Sequence, residues 1–155
     1  MAAPNTAAKD AVLLIELTGQ GNVGAFTNRI GLDVAADDVV VRGLVINGHD
    51  RPGFSPDTGA SIRIFAGASR AVIEGNFLGT NAAGTAKATP TSIFGVNVFG
   101  DDAVIGGTAP AQRNVALGVL GGVSVENGGS ATIIGNYLGT DKTGTVGLAG
   151  GGGSA

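Results

Sequence analysis

Val72-Ile73-Glu74-Gly75-Asn76-Phe77-Leu78-Gly79-Thr80-Asn81-Ala82-Ala83-Gly84-Thr85 returns sixty residues later as Thr132-Ile133-Ile134-Gly135-Asn136-Tyr137-Leu138-Gly139-Thr140-Asp141-Lys142-Thr143-Gly144-Thr145. Weaker copies stand between and before, as Val104-Ile105-Gly106-Gly107-Thr108 and Val40-Val41-Arg42-Gly43-Leu44-Val45-Ile46-Asn47. With Gly43, Gly75, Gly107 and Gly135 in one column the spacings are 32, 32 and 28 residues. Self-similarity at a fixed period marks a repeat architecture, and the structural unit here is about 30 residues long.

Each unit holds a second short alternating strand upstream of its glycine: Leu32-Asp33-Val34, Ile62-Arg63-Ile64, Val96-Asn97-Val98 and Val123-Ser124-Val125. Strict alternation buries one face and wets the other. Turn formers separate the two strands, among them Ala36-Asp37-Asp38, Ala66-Gly67-Ala68, Gly100-Asp101-Asp102 and Asn127-Gly128-Gly129. No stretch has the apolar spacing and caps of a convincing helix. A strand-turn-strand unit cannot close a core alone, so copies must stack on one another through parallel pairing. The expected fold is all-β, a right-handed parallel β-helix, or solenoid, of about four to five coils; the hand follows the crossover rule for parallel strands. Its interior is expected to be aliphatic, lined by Val34, Val41, Ile62, Ile64, Ile73, Val96, Val98, Ile105, Val123, Val125 and Ile133.

Composition agrees with many short strands and tight turns. Of 155 residues 29 are glycine, 43% are hydrophobic and only 5% aromatic. Twelve acidic and nine basic side chains give a net charge of -3 with no basic stripe, so nucleic acid is not an expected partner. Cysteine is absent, which excludes disulfides and thiolate chemistry. The apolar run Ala11 to Ile15 is far too short to span a membrane, and no membrane insertion is expected.

The runs Ile73-Glu74-Gly75-Asn76-Phe77-Leu78-Gly79-Thr80-Asn81, Ile105-Gly106-Gly107-Thr108-Ala109 with Arg113-Asn114 downstream, and Arg42-Gly43-Leu44-Val45-Ile46-Asn47 resemble the bacterial parallel β-helix repeats of large secreted and surface proteins. The resemblance covers roughly Leu13 to Leu148. It implies an extracellular or cell-surface location, with any targeting signal outside this chain. It also implies that Leu14 to Gly19 is the last strand of an incomplete first coil, and that Gly144 to Leu148 begins a further one. Residues 1–149 then form a single repeat domain, and Gly150 to Ala155 reads as a flexible tail. The shared residues belong to the scaffold and carry no activity.

Polysaccharide lyases and hydrolases share this architecture, and their acid/base carboxylates usually stand on the exposed face of a sheet. The outward column holds Asp33, Arg63, Asn97 and Ser124, with Asp33 and Arg63 one coil apart; an exposed ion pair is expected, worth about 0.2 to 1 kcal/mol. The dyads Asp37-Asp38 and Asp101-Asp102 lie two coils apart and read as turn residues, too few in oxygen for calcium. His49, the only histidine, is expected in a solvated loop, Asn47 to Gly53. Gly19-Gln20-Gly21 lacks the strand-to-helix context of a phosphate loop. Asn76 and Asn136, aligned with Leu44 and Thr108, are expected to bond the turn backbone. Phe77 and Tyr137 are expected to face outward, beneath the loops beginning at Gly79 and Gly139 or against sugar rings, and are the candidate glycan contacts.

No catalytic, cofactor or metal residues are therefore assigned. The expected function is a non-enzymatic structural or interaction module of an exported bacterial protein. Its partners are neighbouring protein domains or further copies stacked end to end. The alternative is a carbohydrate-binding or lyase-like β-helix.

Overall fold

A computed structural model describes residues 12–19, 30–49 and 59–148. The segment before residue 12 and the tail after Ala149 lie outside the described residues, as do Gln20, Gly21 and Asp50 to Gly53. Among the described residues there are thirteen strands: β1 (Ile15–Thr18), β2 (Leu32–Val34), β3 (Val40–Arg42), β4 (Leu44–Asn47), β5 (Ala60–Ile64), β6 (Val72–Glu74), β7 (Phe77–Leu78), β8 (Phe94–Val98), β9 (Ala103–Gly106), β10 (Val115–Ala116), β11 (Gly121–Val125), β12 (Ala131–Ile134) and β13 (Tyr137–Leu138). The one helical element described is a single 3-10 turn, Pro110–Gln112.

The strands form three parallel sheets, β1-β4-β7-β10-β13, β2-β5-β8-β11 and β3-β6-β9-β12. The fold is a β-solenoid with a period of about 30 residues. From β2 the chain makes three full turns to reach β11, and β12 and β13 continue the winding. Each coil therefore has three strands where the sequence suggested two. The difference lies at the column glycine. Gly43, Gly75 and Gly135 adopt φ of 77°, 68° and 68°, a region closed to most side chains. The chain turns a corner there, and the second expected strand splits in two.

Register confirms the columns. Asp33 pairs with Arg63, Arg63 with Asn97 and Asn97 with Ser124. Ile73 lies between Val41 and Ile105, and Ile105 pairs with Ile133. Val34, Val41, Ile62, Ile64, Ile73, Val96, Val98 and Ile105 are buried in one aliphatic core that also takes in Ile46, Leu78 and Ala116. Val125 and Ile133 belong to the same columns yet are 40% and 43% exposed, because no described strand covers their coil.

The corner needs hydrogen-bond partners, and asparagine supplies them. Asn76 donates Nδ2 to the Val41 carbonyl (3.0 Å), and its Oδ1 accepts from the Leu44 N–H (3.1 Å). One coil on, Asn114 donates to the Ile73 carbonyl (2.7 Å) and accepts from the Asn76 N–H (3.0 Å). Asn136 repeats this on Ile105 (2.8 Å) and the Asn114 N–H (3.1 Å). The structural assignment of Asn76 and Asn136 holds, but the third member of the ladder is Asn114 and not Thr108. The stretch between β9 and β10, which includes the 3-10 turn, delays the ladder residue, so glycine spacing alone misplaces it.

Replacing Asn114 with Ala should leave the Asn76 N–H and the Ile73 carbonyl buried without that partner, at about 1 to 3 kcal/mol each. Chemical denaturation should show the loss with the far-ultraviolet spectrum retained. A change below about 1 kcal/mol would mean that the ladder does not stabilise the corner.

Candidate functional site

The outward residues of the sheet β2-β5-β8-β11 are not all wet. Ser61, Arg63 and Asn97 are buried on the side of β5 and β8 opposite the aliphatic core, with Arg63 only 8% exposed. Arg63 forks onto Asp33, Nε to Oδ1 at 2.8 Å and Nη2 to Oδ2 at 3.0 Å, and its guanidinium lies 4.3 Å from the centre of the Phe65 ring. The expected exposed pair is thus half-buried: the Asp33 side chain is 42% exposed and that of Arg63 10%. A planar fork stacked on a ring is an arrangement arginine adopts and lysine cannot copy.

The acidic dyad Asp37-Asp38 holds a cation from its own fold. Arg70 donates to Asp38 at 2.7 and 2.8 Å and to Asp37 at 3.2 Å, and Asp37 also accepts from the Ser69 N–H. The Arg70 hydrogen bond holds the Asp38 carboxyl below its ordinary range, and the two carboxylates raise Arg70. In the second dyad the Asp101 carbonyl accepts from the Arg70 N–H, and the Asp102 N–H donates to Ser130. Among the described residues no group of three or more His, Asp and Glu side chains is placed to hold a metal ion.

Phe77 and Tyr137 point away from the aliphatic core, as the corner implies. Val45, Phe77 and Val115 form a second buried cluster against which Leu13 and Tyr137 pack. Its lid is the loop from Gly79: a Cβ at Gly84 would lie 2.9 Å from the Phe77 ring, and one at Gly144 would lie 2.6 Å from Tyr137. Phe77 is fully buried, so its ring offers no face to a sugar. Tyr137 is half-buried, its hydroxyl accepting from Arg113 at 2.6 Å, with the guanidinium 5.1 Å from the ring centre. Of the two candidate glycan contacts, Phe77 is withdrawn on this geometry.

The two loops are copies in structure as in sequence. Asn81 and Asp141 each turn an Oδ1 back onto the loop, Asn81 to the N–H groups of Thr85 and Ala86, Asp141 to those of Thr143, Thr145 and Val146. The Thr143 hydroxyl donates to Asp141 at 2.7 Å and, with those backbone donors, lowers its carboxyl below the usual value. The Lys142 N–H bonds the Gly84 carbonyl at 2.8 Å, so the loops touch directly although β10 separates their strands.

His49 is half-buried and not the solvated loop residue expected. Its Nε2 is sealed from solvent with no hydrogen-bond partner among the described residues. Desolvation pushes its pKa below the ordinary value, against a smaller opposing effect of a hydrogen bond to the Leu17 backbone. Sequence alternation carried no signal of this, because His49 lies beyond the end of β4.

Two measurements follow. Arg63→Ser should cost about 1.5 to 3 kcal/mol, the range for hydrogen bonds to charged groups, whereas Arg70→Ser should leave the melting temperature nearly unchanged. Equal effects would contradict the difference in burial. For His49 the unfolded chain binds a proton near pH 6.5 while the folded chain resists it, so stability is full above that pH and declines as pH falls below it. His49→Gln should flatten denaturation midpoints between pH 6.5 and 5, and an unaltered slope would place the titration elsewhere.

No protein-family model matches the chain, no curated protein is similar to it, and no solved structure matches it.

Proposed function

We propose that this chain is a non-enzymatic structural and interaction module of an exported bacterial protein, acting through the ends of its coil stack. One observation carries the reading: the aliphatic columns run on to coils that no described strand covers. Ile73 and Ile105 are 0% exposed, whereas Ile133 above them is 43% and Leu138 is 45% exposed. At the other end Leu17, in register with the buried Ile46, is 37% exposed, and Ile15 is 58% exposed. Apolar residues in register at a strand edge favour contact with another protein surface.

Carbohydrate engagement has less support. The ring columns are occupied by the protein's own loops, and the neighbouring carboxylates Asp37 and Asp38 are both bound to Arg70 instead of standing free for glycoside hydrolysis. The charged residues on the outer columns are engaged with one another, Asp33 with Arg63 and Asp37-Asp38 with Arg70.

Light scattering over a concentration series tests this. The apparent mass should rise weakly with concentration, and the double variant Ile133→Asp, Leu138→Asp should remain monomeric with an unchanged circular dichroism spectrum. A strictly monomeric parent chain that binds or cleaves a uronate polymer would transfer the case to the carbohydrate reading.

A further inference from the structure

We infer that Asn127 is a site of spontaneous backbone modification, at which the Gly128 amide displaces the Asn127 side-chain amide and the turn between β11 and β12 gains a carboxylate. The modification does not depend on how the coil ends are used.

The sequence holds two Asn-Gly pairs, Asn47-Gly48 and Asn127-Gly128, and no Asp-Gly pair. Glycine after asparagine favours this reaction because it has no Cβ to crowd the approach of its nitrogen, and because it accepts the backbone rotation that ring closure needs. By sequence the two pairs are equivalent. The structure separates them.

Glu126 to Gly129 forms a tight turn closed by the Gly129 N–H on the Glu126 carbonyl at 3.0 Å, with φ of 51° at Asn127 and 86° at Gly128. Positive φ at both central residues makes it a type I′ turn. A type II′ turn keeps the positive φ of the first central residue, sets its ψ at about −120° and makes the second φ negative. Turning over the Asn127-Gly128 peptide therefore links the two forms. That ψ brings the Gly128 nitrogen against Cγ of Asn127, the geometry in which a five-membered ring closes. The rotation is unhindered: a Cβ at Gly128 would have nothing within 4 Å. Among the described residues neither the Gly128 N–H, the Asn127 carbonyl nor the Asn127 side chain has a hydrogen-bond partner.

Both residues are exposed. So are Ala66 and Gly67, which form the same turn in the coil β5 to β7, although strands pair with that coil on both sides. Exposure thus belongs to the corner and not to the place of the coil in the stack. At Asn47 the same chemistry is blocked. Asn47 is 5% exposed, its Nδ2 donates to Glu16 Oε1 at 2.7 Å and to the Thr80 carbonyl at 2.9 Å, and its own carbonyl accepts from the Gly19 N–H at 2.9 Å. The leaving amide is held, and the peptide cannot turn over without losing a hydrogen bond between coils.

The step needs only water. The Gly128 nitrogen forms a bond to Cγ of Asn127, the Cγ–Nδ2 bond breaks, and Nδ2 leaves as ammonia with the proton given up by the Gly128 amide. Water then opens the succinimide ring. Cleavage between nitrogen and Cγ leaves aspartate, and cleavage at the main-chain carbonyl leaves isoaspartate, whose chain runs through Cβ. Either product adds one negative charge to the net charge of -3. The new carboxylate follows Glu126 and lies on the corner stacked over Asp101 and Asp102.

Hydroxylamine, which traps the succinimide and cuts the chain there, is the probe. In the folded full chain, cleavage between Asn127 and Gly128 should outpace cleavage between Asn47 and Gly48 by about tenfold or more, and in denaturant the two rates should converge. Without hydroxylamine, prolonged incubation of the folded chain at neutral pH should place isoaspartate at position 127, read by isoaspartyl methyltransferase labelling and peptide mapping. Asn127→Gln should remove that label with an unchanged circular dichroism spectrum. Equal rates at the two pairs in the folded chain, faster cleavage at Asn47, no cleavage at Asn127 until the chain is denatured, or a label that survives Asn127→Gln would overturn the proposal.

Discussion

The carboxamide ladder Asn76-Asn114-Asn136 is the interaction on which the solenoid depends. A chain that turns a corner must leave some backbone groups outside the sheet hydrogen bonds, and a corner inside a stack has little water to serve them. An asparagine side chain carries both a donor and an acceptor, so one residue answers for a carbonyl and an N–H of the coil beneath it. Each asparagine also bonds the next, which ties corner to corner along the stack. The third coil lengthens its corner with a 3-10 turn and still keeps its place, because the ladder residue is restored before β10 begins.

Two apolar clusters are organised by that corner. Inside the coils the columns are aliphatic, with little ring or polar content. Outside, Val45, Phe77 and Val115 form a smaller cluster closed by a loop of the chain itself. The phase change at the glycine and asparagine allows adjacent residues to serve both: Phe77 faces out beneath its loop while Leu78 faces in. Burying a ring contributes about 1.5 to 3 kcal/mol, so the loops act as stabilising lids as well as connections. Their contact through Lys142 and Gly84 joins two coils that are not neighbours.

A stack has no intrinsic stop, and the properties of its ends follow from that. Interior coils bury both edges, whereas the coil β11 to β13 repeats the same residue pattern with one edge that no described strand covers. The kinds of side chain that are fully buried in the interior are partly exposed there, Ile133 at 43% and Leu138 at 45%. Several charged residues instead pair with one another on the outer surface, from the half-buried Asp33 and Arg63 to the exposed cluster of Asp37, Asp38 and Arg70.

Sequence by itself determined the period, the parallel stacking, the column membership of Asp33, Arg63, Asn97 and Ser124, and the outward turn of Phe77. These follow from alternation and repeat length, which are local or depend only on the neighbouring coil. The tertiary structure decided what covers each column. Arg63 alternates as a surface residue but is buried, Val125 and Ile133 alternate as core residues but lie on a coil that no described strand covers, and His49 has a buried nitrogen with no partner among the described residues, which no pattern announces. It also decided that Asn114, displaced by an irregular corner, is the ladder residue. Burial depends on chain segments distant in sequence, and an insertion shifts numbering without shifting register, so neither can be read from periodicity.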